Sequence, residues 1–279
     1  MAYFFMIFNC GKFQLDLSKP RVMGIVNVTP DSFSDGEKFN TTEKAIEHAL
    51  QLVEEGADIL DIGGESTRPG ATPVPPDEEL NRVIPVIEGL RHVGVPLSID
   101  TYKPQVMQAA IVAGADIVND VCALREPQAL EIVAASQAGV CLMHMQGRPQ
   151  TMQADPQYDD VVKEVKDFLA ERLAAAEQAG IDRSRIVLDP GFGFGKRTAH
   201  NLTLLNHLND IQALGLPLLI GLSRKSILGQ VVGLSVDERL HASIAASVIS
   251  VMKGASIVRV HDVKPTVDAL KIVEAVLSK

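Results

Sequence analysis

Five acidic or amide positions close five separate aliphatic runs of this chain. Asn27 ends VMGIVN, Asp61 ends DILD, Asp100 ends LSID, Asn119–Asp120 ends DIVND, and Asp189 ends RIVLD. One such Asp alone reads as a helix cap or a turn residue. A buried strand gains nothing from a carboxylate at its tip, so five of them imply strand ends that converge on one polar site. Two later runs end on bases instead, in Gly221-Leu222-Ser223-Arg224-Lys225-Ser226 and Arg259-Val260-His261-Asp262. Adjacent cations in such a place are costly unless an anion or an electron-rich ligand faces them. Strand alternation puts Arg259 and His261 on the same side.

These residues sort by chemistry into two halves. Asp100, Asn119, Asp189 and Lys225 form a hydrogen-bonding set suited to a polar, planar heterocycle such as an aminopyrimidinone, because a carboxylate pairs with an N–C–NH₂ edge through two parallel hydrogen bonds. Asn27, Arg68, Arg259 and His261 form an anion site. A lone His is more often structural, and His261 gains its role only from its neighbours. The first long loop, NVTPDSFSDGE, adds Asp31, Ser32, Ser34 and Asp35, hard oxygen donors of the kind that serve Mg²⁺. The second, Gly63-Gly64-Glu65-Ser66-Thr67-Arg68-Pro69-Gly70, has the glycine-bounded form of a lid, with Arg68 able to fork onto a phosphate or carboxylate.

The segment Asp189-Pro190-Gly191-Phe192-Gly193-Phe194-Gly195-Lys196 invites two misreadings. It is not a Walker A loop, since Pro190 stands for the first glycine and Arg197 for the hydroxyl residue. Nor is it a dinucleotide fingerprint, since its glycines fall at every second position. It offers Asp189 at a strand end, glycines that permit close approach, and Phe194 as apolar cover for a flat ring. No Cys–His or Ser–His–Asp arrangement is evident and no His/Cys cluster has zinc spacing, so covalent catalysis is not indicated.

The elements that must position these residues alternate regularly. Short β-rich runs at 22–28, 58–62, 97–100, 116–119, 140–144, 185–189, 218–222 and 256–260 are separated by helical patterns near 42–55, 77–92, 104–113, 127–138, 158–179, 199–213, 237–252 and 265–277. Gly56, Gly114 and Gly254 sit where helices should stop. A doubly wound open sheet uses the same alternation, but it requires a glycine-rich fingerprint after its first strand. Eight strand–helix units without a linker predict one (β/α)₈ TIM barrel. Residues at the C-terminal ends of its strands are then the site. The single domain is expected to span residues 1–279, with residues 1–20 as an N-terminal hairpin turning at Gly11-Lys12.

Composition narrows the partners. With 26 Lys plus Arg against 35 Asp plus Glu the net charge is −9, which argues against nucleic acid or an anionic membrane. Aromatic residues make up only 4% of the chain and Trp is absent, so the core must be aliphatic, as in folds with buried parallel strands. Cys10, Cys122 and Cys141 lack metal spacing and read as buried thiols in a reducing compartment. The apolar start MAYFFMIFNC is too short to span a bilayer and unlike a signal peptide. The expected location is cytoplasmic.

The strings NVTPDSFSDG, DIGGESTRPG, LMHMQGRPQTMQ, LDPGFGFGK, GLSRKS and RVHDV closely resemble the dihydropteroate synthase family of folate biosynthesis, the target of sulfonamides. The similarity runs from about residue 22 to the end. It implies a homodimeric barrel transferase that condenses 6-hydroxymethyl-7,8-dihydropterin diphosphate with p-aminobenzoate, with Mg²⁺ as cofactor, releasing pyrophosphate. Carried over by position, it implies a pterin pocket of Asp100, Asn119, Met143, Asp189, Phe194, Gly221 and Lys225. Pyrophosphate and Mg²⁺ would fall to Asn27, Arg68, Arg259 and His261, with Asp35 helping to close the site. The p-aminobenzoate pocket would use Phe33, Thr67, Pro69, Lys225 and Ser226. Two positions depart from the family pattern: Tyr102 replaces a small Ser, and Glu37 follows Gly36 where a second Gly is common. The pterin barrel of cobalamin-dependent methyltransferases shares the Asp/Asn pocket, but it has no need of Arg68, Lys225, Arg259 and His261. A non-catalytic paralogue should have lost loop residues, and none is missing here.

Overall fold

The computed structural model describes residues 6–28, 38–66, 70–148 and 151–277. Strands β1 (Ile7–Cys10) and β2 (Phe13–Asp16) form an antiparallel hairpin across Gly11 and Lys12, with Cys10 opposite Phe13. Eight parallel strands follow: β3 (Arg21–Asn27), β4 (Ile59–Gly63), β5 (Leu97–Asp100), β6 (Ile117–Asp120), β7 (Gly139–Met143), β8 (Ile186–Asp189), β9 (Leu219–Ile220) and β10 (Ile257–Val260). Their order in the sheet is β8-β7-β6-β5-β4-β3-β10-β9, and the parallel bridge Leu188–Leu218 joins its two ends into a barrel.

Helices α1 (Lys38–Glu54), α2 (Pro76–Leu90), α3 (Pro104–Ala113), α4 (Ala129–Ala134), α5 (Val161–Gln178), α6 (Thr198–Asn206), α7 (Leu208–Gln212), α8 (Ser226–Val232), α9 (Leu240–Met252) and α10 (Val263–Leu277) surround the sheet. The stripe of Val161, Val165, Leu169, Leu173 and Ala176 on α5 is buried against it, as its spacing requires. Asp160 caps that helix by accepting from the amides of Val162 and Lys163 at 3.0 Å each. Gly56, Gly114 and Gly254 all have positive φ, the conformation that ends a helix cheaply only when the side chain is absent.

Three departures from the sequence expectation go beyond a shifted helix end. The pattern at 199–213 is broken at His207 (φ −104°, ψ 27°) into α6 and α7. The strand expected at 218–222 contracts to Leu219–Ile220, between Pro217 and Gly221. Helix α8 was not expected, because seven residues are too few to show a period.

Alternation divides the barrel chemically. Outward residues such as Val22, Val26, Leu60, Ile62, Ile99, Val118, Leu142 and Leu188 form the aliphatic layer under the helices. At the N-terminal end, Met23, Ile59, Ile117, Cys141, Val187, Leu219 and Ile257 make an apolar floor, which the hairpin seals with Phe8, Cys10 and Leu17. A Cβ on Gly139 would lie 2.5 Å from Cζ of Phe8, so the hairpin ring occupies the room that this glycine leaves. All three cysteines are buried and unpaired. Among the described residues, no helix is long and apolar enough to cross a membrane.

Candidate active site

Above the apolar floor the inward positions turn polar, one pleat at a time. The parallel register sets Asn27 beside Gly63, Gly63 beside Asp100, Asp100 beside Asn119, and Met143 beside Asp189. The strand-end residues therefore do share one mouth. Phe33, Asp35, Thr67, Arg68 and Pro69 lie outside the described residues, as do Asp31, Ser32, Ser34 and Glu37.

Arg259 of β10 is the centre of the arrangement. Its Nε donates to Asp61 Oδ2 at 2.5 Å and its Nη2 to Asp100 Oδ2 at 2.8 Å. Asp61 of β4 joins Arg259 to Asn119, whose Nδ2 reaches the same Oδ2 at 3.1 Å. The two halves read from sequence are thus in contact, and the anion-side Arg259 is paired with a ring-side carboxylate. Burial pushes the Asp100 carboxyl up to about 7; Arg259 opposes the rise and Asp61 adds to it. Burial would lower the Arg259 guanidinium, but Asp61 and Asp100 outweigh it and raise its pKa. Oδ1 of Asp100 and Oδ1 of Asp61 are buried and take no hydrogen bond among the described residues.

Lys225 and Asp189 face this centre. Burial lowers the Lys225 ammonium to about 8 against the pull of Asp189, and burial raises Asp189 against the pull of Lys225. Lys225 Nζ donates to the carbonyl of Phe192 at 2.5 Å and lies 4.6 Å from the ring centroid of Phe194. Gly221 leaves space beside them, since a Cβ there would stand 3.9 Å from both Lys225 Nζ and Arg259 Cβ. Ser226 is exposed at the start of α8. Nδ1 of His261 lies 3.1 Å from Ser223 Oγ, which also accepts from the His261 amide. Arg224 does not need an external anion: Asp262 takes it bidentately at 2.9 and 2.6 Å. Of the two adjacent cations, Lys225 alone faces the mouth.

A buried lysine builds the glycine-rich loop. Lys196 Nζ donates to the carbonyls of Gly191 at 2.8 Å and Phe194 at 3.1 Å and lies 2.9 Å from His144 Nδ1. Burial lowers its pKa well below the usual range, and burial together with Lys196 depresses His144 to about 2. Gly191 (φ +69°) is obligatory, since a Cβ would fall 1.8 Å from the carbonyl oxygen of His144.

Met143 (3% exposed) packs with Val121, Cys122, Met145 and Met152, against which Tyr102 and Phe194 rest. Tyr102 thereby becomes part of an apolar wall, and its hydroxyl donates to Glu65 Oε1 at 3.3 Å. Lys103 bridges Glu65 and the buried Glu79 beneath the second loop. Asp120, next to Asn119, anchors a turn through the amides of Cys122 (2.7 Å) and Leu124 (2.6 Å). Asn27 ends β3 half-buried, and no group of three metal-ligating side chains exists among the described residues.

A pocket of this kind can hold a flat, polar ring against carboxylates, an amide and an ammonium, with Phe194 and Met143 as walls. It can hold an anion beside Arg259 and His261.

The family model described as "pterin binding enzyme" matches residues 23–261. The dihydropteroate synthase of Escherichia coli K12 is 53% identical over 265 residues, covering 95% of this chain and 94% of that one. A solved dihydropteroate synthase of Xanthomonas albilineans with 4-aminobenzoic acid superposes with a TM-score of 0.93 at 55% identity, covering 98% of both chains. The Xanthomonas albilineans enzyme in complex with 7,8-dihydropteroate gives 0.90 at 52% identity, covering 98% of this chain and 99% of that one.

Proposed function

This chain belongs to the pterin-binding enzymes, and within them to the dihydropteroate synthases, and from that membership we propose how its barrel mouth performs the condensation. The enzyme is a transferase: it joins 6-hydroxymethyl-7,8-dihydropterin diphosphate to p-aminobenzoate and yields 7,8-dihydropteroate and pyrophosphate. The bond between the pterin methylene carbon and the diphosphate oxygen breaks, with its electron pair leaving on pyrophosphate. The aniline nitrogen of p-aminobenzoate then bonds to the same carbon and gives up one proton.

Asp100, Asn119 and Asp189 hydrogen-bond the pterin, Lys225 donates to it, and Met143, Phe194 and Gly221 shape the slot. As pyrophosphate departs, positive charge develops on the ring, and the carboxylates of Asp61, Asp100 and Asp189 are already fixed around it. Arg259 and His261, with Arg68 from the second loop, stabilise the leaving group, and Asp35 of the first loop helps to close the site. By family resemblance, Phe33, Thr67, Pro69, Lys225 and Ser226 receive p-aminobenzoate. Asn27 supplies one neutral oxygen at a strand end, which fits Mg²⁺, an ion that takes few protein ligands and completes its shell with water and substrate phosphates. When bound there, Mg²⁺ would neutralise charge on the diphosphate.

The observation that carries this reading is the convergence of Asp100, Asn119, Asp189, Lys225 and Arg259 on one end of one barrel. Purified protein, supplied with both substrates and Mg²⁺, should release pyrophosphate and dihydropteroate in equal amounts. Tight pterin binding without pyrophosphate release would sink it.

A homodimer is the favoured assembly. Val231 and Val232 on α8, Ile249 and Met252 on α9, and Ile272 and Val276 on α10 are all exposed, a density of apolar surface suited to a second copy. Sedimentation at the mass of a single chain would exclude it. Three buried free thiols suit a cytoplasmic enzyme.

A further inference from the structure

Asp61 is wholly buried (0% exposed), yet its position ties together the two halves of the mouth. One oxygen, Oδ2, accepts from Arg259 Nε of β10 and from Asn119 Nδ2 of β6, side chains that belong to the anion half and the ring half respectively. A second guanidinium nitrogen of Arg259, Nη2, donates to Asp100 Oδ2, while Asp100 Oδ1 has no partner among the described residues. A ring that presents two N–H donors to Asp100 needs both of its oxygens. In this arrangement one of the two is taken by Arg259. An anion that draws Nη2 away, while Nε stays on Asp61, returns Asp100 to the ring.

We propose that Asp61 is a positioning residue, the pivot on which Arg259 turns between Asp100 and the diphosphate, so that the ring pocket and the anion pocket bind cooperatively through it. The inference rests on the reading of the mouth as a pterin diphosphate site. Bond by bond, the Nε–Asp61 contact persists, the Nη2–Asp100 contact is exchanged for one to a phosphate oxygen, and Asn119 keeps its orientation because Asp61 does not move. No covalent step is involved. A mere buried counter-ion at Asp61 would hold Arg259 without coupling the two pockets, and the two roles differ in what they do to binding.

The test is calorimetric titration of the full-length protein with 6-hydroxymethylpterin and with pyrophosphate, each alone and each in the presence of the other. In the wild type each ligand should tighten the other by the same factor, in the range of about 5- to 150-fold typical of coupled sites. In Asp61→Asn, which keeps the shape and an acceptor oxygen, that factor should fall toward unity. The KM for the pterin diphosphate should rise by about tenfold or more, as expected for loss of a charged hydrogen bond, while the KM for p-aminobenzoate stays put. Arg259→Lys, whose single ammonium nitrogen cannot stay on Asp61 while a second one passes from Asp100 to a phosphate, should likewise lose the mutual effect. An Asp61→Asn protein that melts earlier but keeps the mutual factor and the KM would make Asp61 a counter-ion only and overturn the pivot. If that variant does not fold, the wild type and Arg259→Lys decide, and independent binding in the wild type overturns the pivot. A wild type that binds neither ligand would instead refute the functional reading.

Discussion

Replacing Arg259 by Ala removes the cation that Asp61 and Asp100 share. Asp61 has no exposed surface in its side chain and Asp100 has 11%. Breaking a buried pair by deleting one partner costs about 3–5 kcal/mol, because the remaining charge is left without compensation. The loss does not double with two carboxylates, since Asp100, held near 7, is already partly protonated at neutral pH. Without the guanidinium, which now pulls it down, Asp100 should rise further. A carboxyl whose folded pKa lies above its unfolded value near 3.9 stabilises the fold at low pH and withdraws that contribution as pH rises through the folded pKa. The stability deficit of Arg259→Ala should therefore be about 3–5 kcal/mol near pH 5.5, where Asp61 has lost its partner, and larger near pH 8.5, where Asp100 has ionised as well. Urea unfolding at the two pH values, followed by far-UV circular dichroism because the chain has no Trp, measures it. Turnover should fall with it, by about 10²–10³ in kcat or more. A deficit below about 1 kcal/mol, the value of an exposed pair, or one that is the same at both pH values, would refute the ion-pair reasoning.

Other expectations follow from the same contacts. For the free enzyme, kcat/KM should rise as Asp100 ionises near 7 and fall as Lys225 loses its proton above about 8; Lys225→Arg should abolish the basic limb, and a limb that persists would remove Lys225 from its role. Phe8→Ala should cost about 3–5 kcal/mol of stability in urea titrations yet leave kcat/KM nearly unchanged, because the hairpin seals the barrel floor opposite the mouth; a fully folded variant with lost activity would contradict this. Chelation with EDTA should stop turnover while sparing pterin binding, and added Mg²⁺ should restore it; turnover indifferent to chelation would leave Asn27 without a metal.

The site was legible in the sequence to the extent that alternation and strand ends define it. Asp100, Asn119, Asp189 and Arg259 each stand at a predicted strand tip, and in a parallel barrel all tips share one end. Partner choice was not legible. The contact of Arg259 with Asp61 joins residues 198 apart in the chain, and that with Asp100 residues 159 apart, so no local pattern reports them. Arg224 and Lys225 look alike as neighbours, yet a left-handed backbone at Arg224 (φ +56°) and the carboxylate of Asp262 give them separate tasks. Lys196 read as the end of a glycine motif, and its clamp on the Gly191 and Phe194 carbonyls emerged only from the folded loop. Helix α8 escaped for a different reason, since its seven residues are fewer than a periodicity needs, and β9 was expected but kept only two of the five residues of its run.

The most direct test of a ring pocket and an anion pocket meeting at Arg259 is a crystal structure of this protein with 6-hydroxymethylpterin and pyrophosphate bound together. The ring should lie on Asp100, Asn119, Asp189 and Lys225. Pyrophosphate should lie beside Asn27, Arg259 and His261, with Arg259 Nε still on Asp61. A ring bound away from Asp100 and Asp189, or pyrophosphate seated with Arg259 still on Asp100, would contradict it.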